Sequence, residues 1–164
     1  MGLALCPGSF DPPTNGHIEV VEGASRHFER VLVAVGHNSS KTPLLGTEER
    51  VELLRGCLAH LHNVEIEAFK GLLTDLARER GAAVIVKGLR AASDLDYELA
   101  MARINATLQP SLDTLFIVTS SRFSFVSSSL VKEAARYGGD ISGLVPPQVN
   151  KALIRHFETN PDRV

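Results

Sequence analysis

Pro7-Gly8-Ser9-Phe10-Asp11-Pro12-Pro13-Thr14-Asn15-Gly16-His17 is the stretch that decides how this chain is read. An apolar run, Leu3-Ala4-Leu5-Cys6, comes before it, and the helix-like Ile18-Glu19-Val20-Val21-Glu22 follows. A first strand therefore runs into a Gly/Pro-rich turn, and a helix opens at Gly16-His17. Such a junction aims backbone N–H groups and the positive end of a helix dipole at one point, which suits a phosphate. Gly8 and Gly16 are expected to let the backbone approach a ligand closely. His17, on the first helical turn, is placed to donate a hydrogen bond into the same space.

Outward from that stretch, strand-like runs recur at Val31–Val35, Val64–Phe69, Ala83–Lys87 and Thr114–Val118, after the first at Leu3–Cys6. Several are apolar without alternation, as strands buried on both faces are. Helical patterns fall between them at Gly16–Phe28, Thr47–His60, Leu73–Arg80 and Ser93–Leu108, with two more at Ser128–Tyr137 and Pro147–Phe157. Thr47-Glu48-Glu49-Arg50 reads as an N-cap with an acidic first turn. Alternation of this kind predicts an α/β fold: one domain over residues 1–164, built on an open, doubly wound parallel sheet. Ligands on such sheets bind at the carboxyl ends of the strands, at the topological switch point. The turn at Gly8–His17, the loop at Gly36–Lys41 and the loop at Lys87–Arg90 all follow strands and should gather at that edge.

Composition narrows the function. The chain has 164 residues, 44% hydrophobic and 22% charged, with a formal net charge of −2. No broad basic footprint for nucleic acid is present, so phosphate binding must rest on a few placed Lys and Arg. Two cysteines, Cys6 and Cys57, give no disulfide framework. No run reaches the length of a membrane span, and no signal-peptide pattern is visible. A reducing, cytoplasmic setting is expected. Cys57, His60 and His62 lack a fourth zinc ligand, and Asp94 and Asp96 are two apart on a helix and do not face each other, so no metal site is expected. Neither GxxxxGK[ST] nor GxGxxG occurs, which weakens kinase and dehydrogenase readings.

Thr14-Asn15-Gly16-His17 matches the (T/H)xGH signature of the nucleotidyltransferase superfamily, and Val126-Ser127-Ser128-Ser129-Leu130-Val131-Lys132 resembles its second signature, of the ISSTxxR type. With Val86-Lys87-Gly88-Leu89-Arg90 between them, the order and spacing resemble the bacterial phosphopantetheine adenylyltransferase family over about residues 2 to 157. The resemblance implies a Rossmann-like nucleotidyltransferase fold and transfer of AMP from ATP to 4′-phosphopantetheine, giving dephospho-coenzyme A and pyrophosphate. It implies His17 as transition-state stabiliser, and an ATP site of Ser9, Phe10, His17, Gly88, Leu89, Arg90, Glu98, Phe123, Ser124, Phe125, Val126, Ser127, Ser128 and Ser129. For phosphopantetheine it implies Ser9, Lys41, Leu73 and Lys87. Mg²⁺ would arrive on ATP, and the assembly would be a cytoplasmic homohexamer without nucleic-acid or membrane partners. The face Tyr97, Met101, Ile104, bordered by Asn105, reads ordinarily as core; the resemblance would let it wall the pantetheine arm. Lys41, Lys87 and the Phe123–Ser129 segment argue against a sister enzyme acting on nicotinate mononucleotide or a polyol phosphate. Retention of His17, Lys41 and Arg90 argues against an inactive nucleotide sensor.

Overall fold

In the computed structural model, residues 2–36 and 42–159 are described. Lys41 and most of its loop lie outside these residues. Strands β1 (Leu3–Gly8), β2 (Arg30–Gly36), β3 (Val64–Phe69), β4 (Val84–Leu89) and β5 (Asp113–Val118) alternate with helices α1 (Asn15–His27), α2 (Thr47–Cys57), α3 (Leu73–Arg80) and α4 (Ala92–Leu108), and α5 (Ser128–Arg136) and α6 (Pro147–Thr159) close the chain. The strands form one sheet in the order β3-β2-β1-β4-β5, every pairing parallel. The expected doubly wound α/β sheet is what the chain forms.

Period-two alternation along β1 sets the layers. Ala4 and Cys6 join Val31, Val33 and Val35 under Val20, Val21 and Ala24 of α1 and Val51 and Leu54 of α2. Leu5 points the other way, with Leu32, Ala34 and Ile85, under Leu76 and Ala77 of α3. A third cluster, with Leu45, Val126, Val131, Val149 and Leu153, ties α5 and α6 to the segment that enters α2. Continuous burial of Val31–Val35 matches a central parallel strand.

The switch point is physically open. β1 pairs with β2 along six residues, Leu3 to Gly8. With β4 it pairs only at Ala4 and Leu5. Beyond Leu5 the two strands part, although β1 runs on to Gly8 and β4 to Leu89. The cleft between their carboxyl ends is where the ligand rule for such sheets places a site.

Two local expectations change. The cap of α2 is Gly46, and Thr47 is already helical; its hydroxyl instead accepts a hydrogen bond from Arg50. The α4 face of Tyr97, Met101 and Ile104 is not core in the single chain, since Tyr97 is 67% and Ile104 52% exposed.

Candidate active site

A cavity of about 570 Å³ occupies the cleft between β1 and β4. Cys6, Pro7 and Gly8 line it from β1, and Val86, Lys87 and Gly88 from β4. The turn after β1 supplies Ser9, Phe10 and Asp11, the start of α1 supplies His17, and the start of α5 supplies Ser127, Ser128 and Ser129. Arg50, Arg90, Asp94, Tyr97, Glu98 and Lys132 also line the wall.

His17 is oriented by the cap of its own helix. Thr14 is the N-cap of α1, and its hydroxyl accepts from the His17 N–H at 3.4 Å. In return the Thr14 backbone N–H donates to His17 Nδ1 at 3.0 Å. This is a capping box with histidine where Glu or Gln usually stands. Because Nδ1 accepts, the neutral ring carries its proton on Nε2. Burial, with Arg90 and then Lys87 nearby, pushes the His17 pKa down from 6.5 to about 4. The Phe10 ring meets the imidazole edge-on at 5.1 Å. A neutral, orientation-locked Nε2–H donor is the result.

Phe10 itself adopts φ 49, an unusual value for a non-glycine residue. It is buried, and its ring lies over Gly8, where a Cβ would come within 2.9 Å of it. Gly8 is thus required by the Phe10 ring, and a Cβ on Gly16 would meet only ordinary contacts. Packing thus accounts for glycine at position 8 and leaves position 16 open. Gly88 is also committed to packing: a Cβ there would fall 2.7 Å from Val20 Cγ2.

The cavity floor is held by buried charges. Arg50, 2% exposed, donates to the carbonyls of Leu45 (3.1 Å), Gly36 (3.2 Å) and Ser9. Asp11 accepts from the N–H groups of Leu44 (3.0 Å) and Leu45 (2.9 Å) and from Lys132 Nζ at 2.8 Å. Burial raises the Asp11 pKa, but the bonds from Lys132, Leu45 and Leu44 outweigh it and hold the carboxyl below its ordinary value. Leu45 is therefore fixed at both its N–H and its C=O. Cys6 behaves as the core residue expected, its thiol pushed up to about 12 by burial despite nearby Lys87.

At α5, Ser127 is the N-cap and accepts from Leu130 N–H at 3.2 Å. Ser128 Oγ donates to the Pro12 carbonyl at 2.8 Å, stitching α5 to the first turn. Lys87 Nζ lies 3.4 Å from Glu98 Oε1. Arg90 donates from Nε and Nη2 to Asp94, at 3.1 and 3.2 Å, and from Nη1 to the Val126 carbonyl at 2.8 Å.

Ser9, Phe10, His17, Lys87, Gly88, Arg90, Glu98, Val126, Ser127, Ser128 and Ser129 all line this cavity. Leu73, Leu89, Phe123, Ser124 and Phe125 do not; Leu73 packs against the Leu76–Ile85 cluster. Lys41 lies outside the described residues. Thr14, Asp11 and Lys132 stand inside the motif stretches without a site role of their own in the sequence reading, Asp94 is weighed there only beside Asp96 as a metal pair, and Arg50 only as the end of a capping pattern. Thr14 has a capping signal besides, as a threonine three residues before His17. Among the described residues no group of three or more His, Cys, Asp or Glu side chains could hold a metal ion.

A parallel sheet split at its switch point, with an imidazole donor and several Lys and Arg side chains lining the cleft, is the architecture of an α/β protein with a cleft suited to phosphate. The Cytidylyltransferase-like family matches residues 5–134. Over 157 residues the chain is 48% identical to the phosphopantetheine adenylyltransferase of Alkaliphilus oremlandii (strain OhILAs), covering 96% of this chain and 100% of the relative. The chain belongs to the phosphopantetheine adenylyltransferase family of nucleotidyltransferases. Two solved structures share the fold at a TM-score of 0.71. One is a Vibrio parahaemolyticus protein assigned as a nicotinate-nucleotide adenylyltransferase, at 21% identity over 94% of this chain and 92% of that one. The other is the Plasmodium falciparum nicotinic acid mononucleotide adenylyltransferase complexed with NaAD, at 14% identity over 95% and 96%.

Proposed function

We propose that this chain, as one nucleotidyltransferase domain, transfers AMP from ATP to 4′-phosphopantetheine, forming dephospho-coenzyme A and pyrophosphate. The observation that carries the reading is the neutral His17, its Nε2–H held in the split of the sheet by the Thr14 cap. Family membership supplies the substrates. A phosphate oxygen of phosphopantetheine attacks the α-phosphorus of ATP in line. The bond from that phosphorus to the bridging oxygen breaks, and pyrophosphate leaves with the electron pair. No protein nucleophile is needed; positioning and fixed donors lower the barrier.

In this mechanism His17 Nε2–H donates to a non-bridging α-phosphate oxygen as charge builds there. Lys87 and Lys41 hold the acceptor's phosphate, and Ser9 contacts both substrates. Arg90 and the amino end of α5, with the Ser129 hydroxyl, take the outer phosphates of ATP. Mg²⁺ enters as part of the ATP substrate, coordinated by its phosphates. Leu73, Leu89, Glu98 and Phe123–Phe125 belong to the wider contact surface that the family resemblance assigns. We place the enzyme in the cytoplasm; no described helix is long and apolar enough to cross a membrane.

The test is pyrophosphate release with ATP and each of two acceptors, phosphopantetheine and nicotinate mononucleotide. Release with the first alone is expected. Release only with the second, or with neither, would overturn the reading.

A further inference from the structure

Two of the cations that line the cleft, Arg90 and Lys87, are already held by carboxylates of one helix. Asp94 and Glu98 stand four residues apart on α4, hence on one helical face, and each engages one of them. Asp94 receives Nε and Nη2 of Arg90, the fork edge that would otherwise grip a phosphate bidentately. The Nη1 edge is held by the Val126 carbonyl. Glu98, the less exposed carboxylate at 16%, is paired with Lys87. All four side chains line the cavity. A phosphate that approaches Arg90 and Lys87 meets these two carboxylates as well as the two cations. It gains either cation fully only by exchanging an ion pair.

We propose that Asp94 and Glu98 are resident counter-anions of the site. They hold Arg90 and Lys87 in place while no phosphate is bound, and they compete with every phosphate that binds. Ground-state affinity for phosphate groups is thereby lowered, and pyrophosphate leaves more readily because each cation it abandons has a partner waiting. Neither carboxylate needs to touch a reacting atom, so both are positioning residues. This inference rests on the proposed phosphate-binding role of the cleft.

The experiment is calorimetric titration of inorganic pyrophosphate, with magnesium, into the wild-type chain and into Asp94→Asn, Glu98→Gln and Asp96→Asn. Asp96 is an exposed residue of the same helix outside the cavity, so its variant carries the same charge change without the contact. Asp94→Asn and Glu98→Gln are each expected to bind about two- to five-fold tighter, the worth of a partly exposed ion pair. Asp96→Asn is expected to match wild type. Product inhibition by pyrophosphate in the forward reaction should strengthen by the same factor. Unchanged or weaker binding in the first two variants, or equal tightening in Asp96→Asn, would overturn the inference. If wild type transfers AMP while the variants bind pyrophosphate as it does, the inference alone fails; if wild type neither binds pyrophosphate nor transfers AMP, the reading beneath it fails too.

Discussion

At the scale of single residues, His17 has two jobs: it closes the cap of α1 and presents Nε2–H to the cleft. His17→Ala removes both. Turnover is expected to fall roughly 10²–10³-fold, the usual result of losing one preorganised donor, with the KM for ATP little changed. Stability is expected to fall by about 1 kcal/mol for the lost cap. His17→Gln restores an acceptor for the Thr14 N–H, so urea denaturation should show most of that stability regained. If His17→Ala keeps more than half of wild-type kcat, the donor role is wrong. The pH dependence separates the charge states. The unfolded chain binds a proton at this histidine below about 6.5, whereas the folded chain does so only near pH 4. Its contribution to stability is therefore complete above about 6.5 and declines as pH falls through that window toward 4. Wild type should lose stability across the window more steeply than His17→Gln, and kcat should show no inflection near 6.5 traceable to His17. The position of this residue at the start of α1 was legible, because the turn and the helix start lie within four residues; its bond with the Thr14 cap was not read from the sequence. The pairing of Asp11 with Lys132 was not legible, although each lies in a quoted motif: 121 residues separate them, and no local pattern marks a long-range pair.

Among the elements, the departure of β1 from β4 makes the site, and buried charges hold its edges apart. Arg50 reaches from α2 to the turn after β1 and to the end of β2. Arg50→Met would leave three carbonyls without their donor. A loss of about 3 kcal/mol or more is expected in urea denaturation; a change under about 1 kcal/mol would show that the floor is held otherwise. Lys87 tests the assignment of β4. The strand continues through Lys87, paired with Phe116, to Leu89, so the lysine stands inside the ladder rather than at its end. Lys87→Ala is expected to weaken phosphopantetheine binding about ten-fold or more and ATP binding less, with Lys87→Arg milder. Calorimetry with each ligand decides it, and a loss confined to ATP would reassign the lysine. The order of the elements was readable because hydrophobic period and turn chemistry are local. Their ends drifted by one to three residues: Leu58–His60 read as helix although α2 stops at Cys57, because Leu58 carries the apolar face on into the core beyond the helix end.

For the whole molecule, the question is what covers the far side of the sheet. β5 is an edge strand, with Leu115 44% and Val118 74% exposed. Beside it α4 presents Tyr97, Met101, Ile104 and Leu108 to solvent. The sequence pattern marked part of this face as apolar, but periodicity alone does not tell an inward face from one that meets another chain. Apolar surface gathered on one helix and the neighbouring sheet edge is characteristic of an interaction site. Family resemblance implies six copies; the exposed face is suited to association and carries no number. We therefore expect the purified protein to scatter light as a homohexamer of about six times 17.7 kDa. Ile104→Lys, which places a charge in the middle of the α4 face, should shift the population to smaller species while leaving the far-UV spectrum of the fold intact. Only monomer at micromolar concentration in the wild type would sink the assembly. A hexamer that Ile104→Lys leaves untouched would mean that the copies meet through another surface, and that this face is open for some other use.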